Sequence, residues 1–448
     1  MLTFRRSGIP NVRSHHNGAQ TFLVGVRFGI PIWFVFASPP KAPWRDHSKG
    51  FQSTIGLFLS ELAPKVIHTL FYGKSAVGLR HLARYAYRMK RILKPLGTAI
   101  IAGIAYLIAW PVPIEPVAWT PTPTTGYVGP YALNDRLANL ERHEIMGRHG
   151  PEDAAIGTDG ALYITTGEGD ILRRDPSGEM TVFGQTSGRP LGIEAHPDGS
   201  IWVADAYRGL MRVTASGAEV IADKDDADQR IVYANSLDFA PDGSIWFSEA
   251  STKFGAEAFG GTLQASYLEI FEHGRTGRIL RHDPATGETK EMLPGISFAN
   301  GVAMGASGEW LLFIETGETR IRRLWISGDR TGEVETLHEN LPGFPDNIKR
   351  DTDGGFLLGL VSKRVPLADQ LAGQPFLRKV IQRLPAAIRP KAVSYGFIIR
   401  LTPDGDVDLV WQDPSGDYPL TTGAVRDTDG SLWVTSLGAE WLGRLAKP

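Results

Sequence analysis

Apolar and polar residues alternate in short runs along most of the chain, and each run follows a turn. GTDGALYITTGEGDILRRD (157–175), HPDGSIWVADAYRGLMRVT (196–214) and APDGSIWFSEAS (240–251) share one pattern. So do GASGEWLLFIETGETRIRRLWI (305–326), DTDGGFLLGLVS (351–362) and DTDGSLWVTSLGAEWLGRL (427–445). Each is a turn, usually Asp-Gly, followed by a strand of alternating β-branched and aromatic residues, and a second turn and strand commonly follow. Asp-Gly between alternating apolar runs is the strongest short-range hairpin signal. Recurrence at roughly 40 residues or more marks a repeat architecture, and short strands at that spacing suit four-stranded propeller blades. Six copies predict an all-β, six-bladed β-propeller over residues 146–448. The wider spacings hold insertions, at about 252–277 and 363–395. Trp202, Trp246 and Trp433, after the turns, are expected to pack between blades.

The N-terminal quarter has no such period. From Met89 the chain reads MKRILKPLGTAIIAGIAYLIAWPVPIEPVAW, with Lys90, Arg91 and Lys94 ahead of an apolar run from Pro95 to about Ile114. That run is long enough to cross ~30 Å of hydrocarbon as a helix. Positive charge before the span predicts a cytoplasmic N-terminus and a propeller on the extracytoplasmic, periplasmic or lumenal, side. Residues 89–114 are therefore read as an uncleaved membrane anchor. Residues 115–145, rich in Pro and Thr, are read as a spacer lifting the propeller off the membrane. Residues 1–88, including the apolar but Arg- and Pro-broken FLVGVRFGIPIWFVF (22–36), read as a poorly structured upstream extension, with Met89 a natural start of translation.

The composition narrows the chemistry. A formal net charge of −2 gives no sign of nucleic-acid binding. Cysteine is absent, so disulfides, thiolate nucleophiles and Cys-ligated metals are excluded, and any metal must use oxygen or imidazole ligands.

Propellers place their sites at one end of the central channel. The decisive residues are therefore those at a common register ahead of each turn. These are Glu152 in GPEDAAI, Leu191 in RPLGIEA, Asn235 in YANSLDFA, Asn300 in FANGVAM, Asp346 and Asn347 in FPDNIKR, and Leu420 to Thr422 in YPLTTGAV. Four blades thus aim carboxylate or carboxamide groups at one axis. Calcium-class cations take oxygen ligands of this kind. The competing reading is four independent Asx turns with no shared site. The acidic run DKDDADQ (223–229) lacks the glycine and terminal glutamate of an EF-hand loop and reads as a solvated loop. Glu249 and Glu315, after strands, read as ordinary loop acids, and His196 as a turn residue.

GPED, RPLGIEAHPDG, ADAYRGL, GRILRHDPATGET, FANGVA, ETGETRIRRLWISG, GEVETLHENLPGFPDNI and YGFIIRL occur in order across the repeats. In these phrases the chain resembles the strictosidine-synthase-like propellers, and within them the adipocyte plasma-membrane-associated protein group. It is more distantly similar to the gluconolactonase and paraoxonase propellers, which hold Ca²⁺ or another divalent ion on the axis. The resemblance implies that Glu152, Asn235, Asn300 and Asp346 stand at metal-ligand positions, with Asn347 at a further one. It also implies Asp346 as a candidate general base. Two departures matter. Strictosidine synthases use a last-blade glutamate for condensation, and here the position falls near Leu420. Paraoxonases carry a second-blade histidine, and here Leu191 stands there. The expectation is a metal-dependent hydrolase of a hydrophobic ester or lactone, set against a non-catalytic binding propeller with a structural metal and a condensing enzyme with a relocated acid–base group. In the insertion 363–395, Phe376, Leu377, Val380, Ile381 and Leu384 fall at helical spacing beside Arg378, Lys379 and Arg383. Such a basic amphipathic stretch suits a membrane surface, a cover over the channel, or a helix packed on its blade.

Overall fold

Each Asp-Gly turn closes a hairpin for a local reason. The aspartate accepts from the amide two residues on, as Asp198 Oδ1 does from Ser200 (2.8 Å) and Asp429 Oδ1 from Ser431 (2.9 Å). The glycine between them takes the left-handed conformation, with φ 83° at Gly199. The computed structural model describes residues 76–124 and 126–447, so most of the stretch read as an extension, up to residue 75, lies outside the described residues.

Six antiparallel four-stranded sheets form the propeller. Blade 1 comprises β2 (Ala154–Ile156), β3 (Leu162–Thr165), β4 (Asp170–Arg174) and β5 (Met180–Gln185). Blade 2 starts with β6 (Pro190–Ala195), blade 3 with β10 (Ala234–Phe239), blade 4 with β14 (Ala299–Met304), blade 5 with β18 (Gly343–Arg350) and blade 6 with β22 (Thr421–Arg426). These innermost strands contact one another in a closed ring. Polar side chains stitch the ring: Asp153 Oδ2 accepts from the Ile193 amide (3.0 Å), Ser236 Oγ from Val302 (3.1 Å) and Asp238 Oδ2 from Met304 (2.7 Å). Deeper in the channel the buried Lys349 ammonium pairs with Asp153 (2.8 Å) and Glu194 (2.7 Å). Gly301 lets two inner strands meet. A Cβ there would stand 2.5 Å from the Ile348 nitrogen and 2.7 Å from the Asp346 carbonyl oxygen. Trp202, Trp246 and Trp433 are buried, as the packing role requires.

The ring begins earlier than residue 146. β1 (Glu141–Glu144) pairs with β24 (Trp441–Leu445) as the outer strand of blade 6, so the first strand of the propeller closes onto its last. Its sequence, ERHE, lies on an exposed edge and carries no apolar alternation.

Helix α1 (Ala76–Ala109) starts upstream of Met89 and ends just before Pro111, which cannot continue a helix. Its stretch Ala83–Ala109 is long and apolar enough to cross a membrane, and none of its most apolar window is buried. The expected spacer behaves differently. Residues 110–124 run as a strap over the loops of two blades. The Val117 amide donates to the Glu272 carbonyl (2.8 Å), Trp119 to Ala372 (3.3 Å), and the Arg364 guanidinium to the Thr122 carbonyl (2.6 Å). A Pro-rich stretch without backbone partners of its own has its donors and acceptors free for such a docking.

The insertions also fold. Residues 250–276 contain α2 (Thr262–Glu272), and 364–395 contain α3 (Pro366–Leu371) and α4 (Pro375–Gln382). The two acids taken for loop residues are fully buried locks. Glu249 pairs with Arg278 (2.7 Å), and Glu315 with Arg320 (2.7 Å). The acidic run is likewise more than solvated loop, because Asp225 is buried and also pairs with Arg278 (2.5 Å).

Candidate functional site

The common register is a structural irregularity. The pairing register between the first and second strands shifts across Ala234/Leu237 in blade 3, Ala299/Val302 in blade 4 and Pro345/Ile348 in blade 5. It shifts likewise across Pro190/Ile193 and Thr421/Gly423. Bulges of this kind re-aim side chains out of the regular pleat. Asn235, Asn300 and the Asp346–Asn347 pair each occupy one. Glu152 stands just ahead of β2.

All five predicted residues are buried, none more than 6% exposed. Two direct contacts join four of them. Asn300 Nδ2 donates to Asp346 Oδ1 (2.5 Å) and to Thr316 Oγ1 (3.2 Å). Asn347 Nδ2 donates to both the Glu152 carbonyl and Glu152 Oε1 (3.1 Å each). Thr422 Oγ1 donates to the same carbonyl (2.6 Å). Asn235 is not hydrogen-bonded to the other four among the described residues.

With the amide nitrogens so engaged, one oxygen on each of four side chains is buried without a partner: Glu152 Oε2, Asn235 Oδ1, Asn300 Oδ1 and Asn347 Oδ1. Buried acceptors are seldom left this way, because each forfeits its hydration. Electrostatics sharpen the point. Burial pushes the Glu152 carboxyl well up, and the nearby Asp346 carboxylate pushes it further. Burial raises Asp346 to about 7, with the Asn300 hydrogen bond opposing. Two acids that resist ionisation beside unpaired amide oxygens are a donor set that a hard cation satisfies. No group of three or more His, Asp or Glu is placed to hold a metal among the described residues, so any cation here rests on two acids and three amides.

Pattern reading passed over several neighbours. Arg189, two residues before the blade-2 register position, is buried and draws the Glu152 pKa down. Tyr233, two residues before Asn235, is buried, and its hydroxyl donates to the Thr262 carbonyl (2.8 Å). Leu191 and Phe298, at the same end of their blades, join Tyr233, Phe254 and Ile114 in one apolar cluster over the mouth. Ile114 brings the strap into it. His273 lies buried in the rim, bonded to Ser297 Oγ (3.2 Å) and Glu318 (2.9 Å) and stacked on Trp119 at 4.0 Å. His196, by contrast, stays at its turn beside Asp198 (2.8 Å).

Sequence profiles of strictosidine synthase and of the strictosidine synthase-like N-terminal region match residues 235–329 and 129–174. An adipocyte plasma membrane-associated protein of Danio rerio is 30% identical over 357 residues, 74% of this chain and 84% of its own length. The chain belongs to the strictosidine synthase-like family, in the company of the adipocyte plasma membrane-associated proteins. The Bos taurus protein of that name is 29% identical over 78% of this chain and 88% of its own. Among solved structures, a gluconolactonase of Xanthomonas campestris aligns with a TM-score of 0.50 at 15% identity, over 74% of this chain and 96% of its own, which supports the propeller fold.

Proposed function

We propose that this strictosidine synthase-like propeller is a divalent-metal-dependent hydrolase of hydrophobic esters or lactones, anchored by α1 with the propeller on the extracytoplasmic side. The observation that carries it is the set of unpaired buried oxygens on Glu152, Asn235, Asn300 and Asn347, with Asp346 among them. These five residues would hold the ion, calcium or another hard divalent cation. When bound, such a cation polarises an ester carbonyl and offsets the charge that develops on its oxygen.

The chain's own groups supply the rest. Asp346, held by Asn300, takes the proton from an attacking water. Arg189 balances the negative charge that Glu152 adds. Leu191, Tyr233, Phe298 and Phe254 exclude bulk water and favour an apolar acyl or lactone chain. Leucine at 420 cannot transfer a proton, which argues against condensation chemistry. The arginines and lysines before the apolar part of α1 support a cytoplasmic N-terminus.

A second reading is a binding propeller with a structural metal. It is favoured by the burial of all five oxygen-bearing residues beneath the apolar cluster. The test uses the full chain in detergent, stripped of metal and restored with calcium, on a panel of aryl esters and lactones beside Asp346→Asn. Turnover that returns with calcium and is absent from the folded variant supports the hydrolase. Calcium-dependent thermal stability without turnover on any substrate supports the structural metal.

A further inference from the structure

Helix α4 is inverted relative to a helix that serves a protein core. Its buried residue is Arg378, at 0% exposure, while Phe376 and Leu377 stand 54% and 40% exposed. Arg378 is spent inward. Its guanidinium donates to the carbonyls of Phe271 (2.7 Å), Ala372 (3.2 Å) and Val117, and lies over the Trp119 ring at 4.5 Å. The polar side thus binds the strap and the blade-3 insertion, and Phe376 and Leu377 are left outward. Ile388, in the same insertion, is 65% exposed, and Leu367 and Val393, near its two ends, are exposed as well. Exposed apolar residues gathered on one segment mark a contact surface, whereas scattered ones need no explanation.

The occupant follows from two further facts. Residues 363–395 carry seven Lys or Arg against one acid, Asp369; Arg364, Arg378 and Arg383 are turned inward, and Lys363, Lys379, Arg389 and Lys391 remain to give the segment a net positive charge toward an anionic surface. The same insertion also holds the end of α1: Arg383 donates to the carbonyls of Leu107 (2.9 Å) and Trp110 (2.5 Å). From Ala109, where the helix ends, five residues lead to Ile114 in the apolar cluster over the channel mouth. Five residues reach at most about 18 Å. The mouth therefore cannot stand off from the surface that α1 leaves.

We propose that the blade-5 insertion is a second membrane contact: Phe376, Leu377 and Ile388 enter the interfacial layer of an anionic bilayer and hold the channel mouth against it. The strap is then a clamp rather than a stalk. The proposal rests on α1 as the anchor and is independent of what the site catalyses.

The chain has no cysteine, so single labels are clean. Leu377→Cys, Ile388→Cys and Ser216→Cys, the last on an exposed turn after the third strand of blade 2, are labelled with an environment-sensitive fluorophore in the full chain, reconstituted into phosphatidylserine-containing vesicles. Lipid-attached nitroxides are expected to quench Leu377 and Ile388 roughly twofold or more over Ser216, since an interfacial helix sinks ~5–10 Å into the headgroup boundary. Vesicle flotation reads the anchor separately. The pair Phe376→Glu and Leu377→Glu should leave flotation intact while removing the quenching at Ile388. Quenching equal at all three positions, or by aqueous quencher alone, overturns the proposal. So does protection from both quenchers that vanishes at fewer than one chain per vesicle, which would make a second copy the occupant. Loss of flotation in the unsubstituted chain overturns the anchor and the proposal with it.

Discussion

Asn347 turns its amide nitrogen to Glu152, reaching from blade 5 to the entrance of blade 1 and leaving oxygens of both residues unpaired. One hydrogen bond thus orients two prospective ligands. Removing it in Asn347→Ala should loosen both. Calcium affinity, read by isothermal titration on the metal-stripped chain, is expected to fall about 10–100-fold, the usual effect of losing a group that orients a ligand. The rise in melting temperature at fixed calcium should shrink in step.

The same acids make the metal-free protein sensitive to pH. Asp346 has its folded pKa raised to about 7 from an ordinary 3.8, and Glu152 is raised as well. Folding therefore favours their protonated forms. That stability is fully present below about pH 4 and is lost as pH rises through about 7. In chelator, the unfolding free energy from urea titration should fall across this window by an amount on the order of a few kcal/mol, and Asp346→Asn should flatten part of the decline. A midpoint that rises with pH from 4 to 7 in the unsubstituted chain would show that these carboxyls are not held neutral.

Arg278 answers buried acids on two segments, Glu249 at 2.7 Å and Asp225 at 2.5 Å. Arg278→Met strands both charges and should cost about 3–5 kcal/mol in denaturant unfolding. Adding Glu249→Gln removes one of the stranded charges. The double variant should be more stable than the sum of the singles by about 1 kcal/mol or more.

Gly301 follows a proposed ligand directly and faces the backbone of Asp346 and Ile348. Gly301→Ala must push blades 4 and 5 apart, with an expected cost of about 1–3 kcal/mol. Calcium affinity should fall as well, since Asn300 on blade 4 and Asp346 on blade 5 are then drawn apart. Gly373→Ala, where a Cβ meets open space, is the control and should change neither quantity.

The ring was legible because its signals are local. Asp198 and Asp429 each fix a hairpin through a bond two residues away, and such chemistry recurs visibly at every blade. The register ahead of the turn was legible for the same reason: the bulge falls at one place in each of the five copies that carry it. What stayed hidden depends on distant partners. Ile114, Trp119 and Thr122 sit in a Pro- and Thr-rich stretch with no period, and only the folded rims of blades 3 to 5 give them something to dock on. Glu249 and Glu315 looked like loop acids because their arginines lie on later strands. His273 was passed over because it belongs to an insertion rather than to any repeat. The polarity of α4 was read correctly as amphipathic, but which side faces the protein was settled by Arg378 finding carbonyls on the strap and the blade-3 insertion as well as on its own insertion.

The pairing of Glu141–Glu144 with Trp441–Leu445 sets an order of events during synthesis. The opening strand is made long before its partner, Trp441–Leu445. Until that partner emerges, the blades already made form an open arc with one bare edge. Closing that arc joins segments almost 300 residues apart, a contact whose entropic cost grows only slowly with separation but whose formation is slow. A nascent chain stalled before Trp441 would have every inner strand in place and the circle unfastened.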